Sequence, residues 1–143
     1  MTAVAGDGRP VVADAMLHAP TVSAPGATVG ELRRLFTDDH VHAALLVDAT
    51  RLVAVLDRGD LAGAAEGDAA AGLAPLEGRT VGPGEDLEQV RLRMVAQGIR
   101  RLAVVDDGGA LLGLLCLKRS GSGFCSDDDV AARAAERRGP GVC

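Results

Sequence analysis

The stretch Arg101-Leu102-Ala103-Val104-Val105-Asp106-Asp107-Gly108-Gly109-Ala110-Leu111-Leu112-Gly113-Leu114-Leu115 decides the fold. Leu102 to Val105 is a short, continuous apolar run of the kind that forms a buried strand. Asp107-Gly108-Gly109 supplies a tight turn, because glycine reaches left-handed backbone conformations without steric cost. Ala110-Leu111-Leu112 resumes the strand, so the two runs predict an antiparallel hairpin. The same arrangement stands earlier in the chain. Ala44-Leu45-Leu46-Val47 is a second buried run ending in aspartate, Ala49-Thr50-Arg51 is a less emphatic turn, and Leu52-Val53-Ala54-Val55-Leu56 returns.

The duplication extends outward from the hairpins at an offset of 58 residues. Pro25-Gly26-Ala27-Thr28-Val29 matches Pro83-Gly84-Glu85-Asp86-Leu87, Leu32 matches Val90, Phe36 matches Met94, and Val41 matches Ile99. One extra residue in the Asp106–Ala110 turn brings Leu52–Leu56 onto Leu111–Leu115. The chain therefore contains two copies of one unit of about sixty residues. An isolated unit of that size is marginally stable, so the two are expected to bury apolar faces against each other.

Within a unit the pattern reads strand, helix, strand, strand, helix, which is an α/β (α+β) class with tandem β-α-β-β-α units. Thr21-Val22-Ser23 and Arg79-Thr80-Val81 are the short extended entries. Val29, Leu32, Leu35 and Phe36 share one helical face, as do Leu87, Val90 and Met94. The expected division is a tail at 1–10, one unit at 11–67, the second at 68–138 and a tail at 139–143, with Glu66–Gly72 as a polar linker. The closing helices differ. Asp57 is placed to cap a helix running through Leu61 toward Ala65. In the second unit Ser120-Gly121-Ser122-Gly123 interrupts that place, and Ser126 is expected to cap a restarted helix reaching Arg138. Asp127, Asp128 and Asp129 suit the positive end of that helix and lack the alternating ligands of a calcium loop.

The 143 residues are 48% hydrophobic and 24% charged, a globular balance, but contain no Trp, no Tyr and only two Phe. The core must be built from Val, Leu and Ala. Base-stacking platforms need exposed rings, and a net charge of −5 offers no dominant basic face, so nucleic acid is not an expected partner. No apolar run approaches the ~20 residues of a membrane span, and no signal-peptide core precedes the first unit. A cytoplasmic location without membrane contact is expected. Cys116, Cys125 and Cys143 form no CxxC pair or zinc cadence, so no metal is expected, and Cys116 is expected reduced and buried. No Ser-His-Asp or Cys-His arrangement is placed by neighbouring motifs, and no catalytic activity is expected.

The ordered, duplicated pattern from about Val12 to Arg138 resembles a cystathionine β-synthase (CBS) domain pair, also called a Bateman module. Val12-Ala13-Asp14-Ala15-Met16 is similar to the family's lead-in, and Gly98-Ile99-Arg100-Arg101-Leu102-Ala103-Val104-Val105-Asp106 is the most recognisable stretch. The resemblance implies two units packed sheet to sheet about a pseudo-twofold axis, with clefts that often bind adenosyl ligands. It also implies a regulatory rather than catalytic role and self-association as a homodimer.

Nucleotide-binding members carry a Gly, an apolar residue, a Ser or Thr, and an Asp three residues later. A carboxylate there accepts two hydrogen bonds from a ribose diol. Ala54-Val55-Leu56-Asp57-Arg58-Gly59-Asp60 keeps the aspartate as Asp60 but has Ala54 for the glycine and Asp57 for the hydroxyl. Gly113-Leu114-Leu115-Cys116-Leu117-Lys118-Arg119 keeps the glycine but has Cys116 and Arg119 at the other two places. A guanidinium accepts no hydrogen bond, so at most one ordinary site per chain is expected. The Lys118-Arg119 pair is similar to one unit of the nucleotide-sensing subunit of AMP-activated protein kinase, which implies phosphate contact by Lys118. His42, Arg100 and Arg101 match positions that face phosphate, while Val55, Thr80 and Val81 would border the adenine. AMP, ADP or ATP are the implied ligands, none is required as a cofactor, and the regulated partner is unspecified. The alternative is a ligand-free interaction or scaffold module with degenerate sites.

Overall fold

Thr28 and Asp86, one repeat offset apart, start the two helices. The Thr28 hydroxyl accepts a hydrogen bond from the Glu31 amide at 3.2 Å while the Glu31 carboxylate accepts one from the Thr28 amide at 2.8 Å, a closed capping box. Asp86 accepts from the Gln89 amide at 2.9 Å. The helices are α1 (Val29–Leu35) and α2 (Leu87–Gln97), and α2 ends at Gly98 in the left-handed conformation, φ 69°. The computed structural model describes residues 8–126, so the helix expected after Ser126 and the acidic triplet lie outside the described residues.

Strands β1 (Ala44–Asp48) and β2 (Arg51–Leu56) form one antiparallel hairpin, and β4 (Arg101–Val105) and β5 (Leu111–Cys116) form the other. The entry β3 (Thr80–Val81) lies parallel to β4, pairing Val81 with Val104, and its counterpart Ser23 pairs with Leu46. Even the register shifts correspond, at Leu46/Val47 and at Val104/Val105. The first unit's core joins Val29, Leu32 and Phe36 to Leu46, Ala54 and Leu56; the second joins Val90 and Met94 to Val81, Leu102, Val104 and Leu115. Burying each such Leu or Val stabilises the fold by roughly 1.5–3 kcal/mol.

The units interlock by exchanging their lead-in segments. Val11 pairs with Asp86 and Ala69 pairs with Thr28, two contacts that the repeat offset interconverts. That reciprocity is the mark of a twofold relation, here within one chain. At the axis itself the hairpin tips meet: Leu52 N donates to Gly109 O at 3.0 Å and Leu111 N donates to Thr50 O at 2.8 Å. Between the sheets, Leu45, Leu52 and Val55 pack with Ala103, Leu111 and Leu114. The lead-in continues along the second unit, where Val12 is fully buried and Leu17 pairs with Leu114. Packing thus crosses the 67/68 division drawn along the sequence.

The helix expected from Asp57 to Ala65 is corrected to a single 3-10 turn, Arg58–Leu61. The chain leaves it at Ala62 in extended conformation, and Gly63 follows at φ 80°, outside helical space. Carbonyls that further helix would have used accept from Arg33 instead, at 3.0 Å for Leu61 and 2.7 Å for Ala64. In the second unit the Ser120–Gly123 interruption is a turn that brings Phe124 back onto Leu117. Among the described residues, no helix is long and apolar enough to cross a membrane.

Candidate functional site

A cavity of about 690 Å3 opens between the units. The first unit contributes His42 and Ala43 ahead of β1, Val55 and Leu56 at the end of β2, and the turn Asp57-Arg58-Gly59. The second contributes Glu77-Gly78-Arg79, which leads into β3, and Gly98 to Arg101, between α2 and β4. His42, Val55, Asp57, Arg100 and Arg101 are thereby brought together around one cavity. Thr80, Val81 and Lys118 are not part of the lining. Thr80 and Val81 pair with Ala103 and Val104, and Val81 is spent in the second unit's core. Lys118 sits half-buried at the start of the 118–123 turn, its amide donating to Gly123 O at 2.8 Å.

Asp60 lies just behind the lining, and its carboxylate is engaged. Arg79 Nη1 donates to Oδ2 at 2.6 Å and Nη2 donates to Oδ1 at 3.1 Å, a bidentate pair. Nη1 also donates to the Val55 carbonyl at 2.9 Å. The Asp57 amide donates to Asp60 Oδ2 at 2.8 Å while Asp57 Oδ1 accepts from the Asp60 amide at 3.0 Å, so the two carboxylates cap the 3-10 turn reciprocally. Burial pushes the Asp60 carboxyl up, but hydrogen bonds from Arg79 and the Asp57 amide more than offset this and hold it below its ordinary range. The same hydrogen bond raises Arg79 above its ordinary value.

Arg58 and Arg100 are braced by backbone. Arg58 Nη2 donates to the Phe36 and Asp38 carbonyls at 2.7 and 3.1 Å, with its guanidinium 5.1 Å from the Phe36 ring centroid. Arg100 donates to the Leu117 carbonyl from Nε at 3.3 Å and Nη2 at 3.1 Å. Four arginines and His42 thus face two lining carboxylates, Asp57 and Glu77, a balance suited to an anion. Among the described residues, no Phe lines the cavity, so an adenine there would rest on aliphatic groups such as Val55 and Ile99. Arg79 is a lining residue that the sequence did not single out as a site group, as are Arg58 and Glu77. Its only signal was its place in the Arg79-Thr80-Val81 entry; the pairing partner lies 19 residues earlier.

The twofold-related units and the arginine-lined cavity between them define a tandem α/β repeat module with an interunit cleft. The chain belongs to the CBS domain family, whose model matches residues 12–67 and 79–119. Among curated proteins, none matches the sequence. Among solved structures it is similar to CBSX2 in complex with AMP, at 23% identity and TM-score 0.65, covering 90% of this chain and 99% of that one. It is also similar to the CBS domain pair of protein MJ0100 in complex with 5′-methylthioadenosine and S-adenosyl-L-methionine, at 16% identity and TM-score 0.61, covering 91% and 99%. An uncharacterized conserved protein from Pyrococcus horikoshii matches at 17% identity and TM-score 0.62, covering 91% and 94%. These likenesses establish a shared fold.

Proposed function

We propose that this CBS pair is a non-catalytic regulatory module that binds an adenine nucleotide in the interunit cavity and signals through a partner or homodimer contact. The observation that carries the reading is the cavity itself, where arginines from both units converge beside Val55 and the Asp60 carboxylate. Arginine guanidinium groups fit phosphate oxygens by paired, charge-assisted hydrogen bonds. A ligand touching both units favours one relative orientation over others, which is population shift. His42, Asp57, Arg100 and Arg101 are proposed to surround the phosphates and ribose, with Val55 against the base. Thr80, Val81 and Lys118 would then act from behind the lining or in the second cleft. The test is calorimetry with AMP, ADP, ATP, S-adenosylmethionine and NAD, alongside light scattering with and without ligand. Saturable binding of a phosphorylated adenosine, weakened in Arg100→Ala and Arg101→Ala, is expected; binding of none of the five overturns the reading.

The second reading is a ligand-free interaction module. It is favoured by the Arg79–Asp60 pair, which satisfies within the protein the carboxylate that would receive a ribose. Failure of all five ligands to bind, with unchanged self-association, is the outcome that selects it.

A further inference from the structure

We propose that Arg79 makes the cavity selective for phosphorylated over unphosphorylated nucleosides, because it clasps Asp60 in a pair that only an anionic ligand can open. This rests on the nucleotide reading above and goes beyond it in naming the residue that discriminates. A ribose diol needs two acceptor sites on the Asp60 carboxylate. Arg79 occupies one on each oxygen, and the Asp57 amide takes another on Oδ2. The diol therefore gains Asp60 only when the guanidinium leaves. Arg79 is 29% exposed and Asp60 16%, so the pair is partly shielded from water, and a guanidinium that leaves it is best satisfied by a new anion.

Among the arginines with an assigned bracing contact at this cavity, Arg79 alone is held by a carboxylate. Arg58 and Arg100 rest on backbone carbonyls, which stay where the chain puts them. A phosphate can take Arg79 over from Asp60 and free the carboxylate for the ribose. One charge-assisted pair is exchanged for two contacts to the ligand: the phosphate pairs with Arg79, and the ribose hydroxyls donate to Asp60. Adenosine offers the diol but no anion, and it leaves Arg79 without a counter-charge. The clasp also spans the units: Arg79 precedes β3 of the second, while Asp60 and Val55 belong to the first. Opening it is therefore felt at the interface between them.

The experiment is calorimetric titration of the full chain with AMP and with adenosine, for wild type, Arg79→Ala and Arg79→Lys, with thermal melts confirming that each variant is folded. Wild type is expected to bind AMP at least about tenfold tighter than adenosine, the scale of one charge-assisted contact. In Arg79→Ala adenosine affinity rises by about tenfold while AMP affinity falls, so the ratio closes. Arg79→Lys keeps the charge, loses the fork and falls between the two, which keeps the test available if the alanine variant does not fold. A ratio unchanged across the three proteins overturns the clasp and leaves the nucleotide reading standing. No binding of either ligand to any of the three overturns the clasp, and the five-ligand titration above then decides the nucleotide reading.

Discussion

Gly113→Ala asks β5 to carry a methyl group where the lead-in segment leaves no room. A Cβ at this position would stand 2.5 Å from the Leu17 carbonyl oxygen and 2.8 Å from Met16 Sδ. The thioether can turn aside, since methionine is unbranched and flexible. The carbonyl cannot, because Leu17 is tied to Leu114 in both directions, donating at 2.8 Å and accepting at 3.0 Å. Relief means lifting residues 16 and 17 off β5. Each backbone bond lost costs about 1 kcal/mol net, and forcing an extra methyl into a packed site costs a further ~1–3 kcal/mol. The expected destabilisation is about 3 kcal/mol, against the ~5–15 kcal/mol that holds a domain folded. For a chain of this size that lowers Tm by about 10 °C. Urea denaturation and thermal melts measure it, with Gly67→Ala as control, where an added Cβ meets nothing within 4 Å. A loss below about 1 kcal/mol, or equal losses in the two variants, would refute the packing argument.

Two further outcomes follow from the backbone and the charges. The Asp60 carboxyl is held below its ordinary value of 3.8, so the unfolded chain binds that proton more readily than the folded one. Its stabilising contribution is complete above about pH 4 and is lost as pH falls through the folded-state value. Denaturation curves for wild type should therefore weaken more steeply in acid than those of Asp60→Asn, and parallel curves would contradict the assignment. Ala49 occupies the left-handed region at φ 58°, a strain of roughly 1–2 kcal/mol for a residue with a Cβ. Ala49→Gly removes the strain and adds some unfolded-state freedom, for a net gain of about 0.5–1 kcal/mol by urea titration; a loss of stability would count against it.

The fold was legible because its signals are local and occur twice. Buried runs, the Asp107-Gly108-Gly109 turn and the caps at Thr28 and Asp86 each act within a few residues, and the 58-residue offset carries even the register shifts from one hairpin to the other. The Asp57 helix failed on the same ground of locality. Its cap is present, but the turn is stopped by Gly63 and by Arg33, whose guanidinium takes the carbonyls from 28 and 31 residues away. Arg58 shows the same limit: it stands two residues from Asp60 along the chain but reaches back to the Phe36 and Asp38 carbonyls.

By itself, the sequence determined the duplicated pattern, its strands, its two longer helices and the aliphatic core. Tertiary structure decided what those elements do to one another. It carried the lead-in segment of each unit onto the other, which makes Gly113 a packing requirement and leaves Ala54 room for its methyl. It also paired Asp60 with Arg79 across the interface and left Lys118 outside the cavity lining. Hydrophobic periodicity and capping depend on near neighbours along the chain, so they can be read in order. An ion pair across an interface depends on how two folded units dock, and no spacing along the chain encodes that distance.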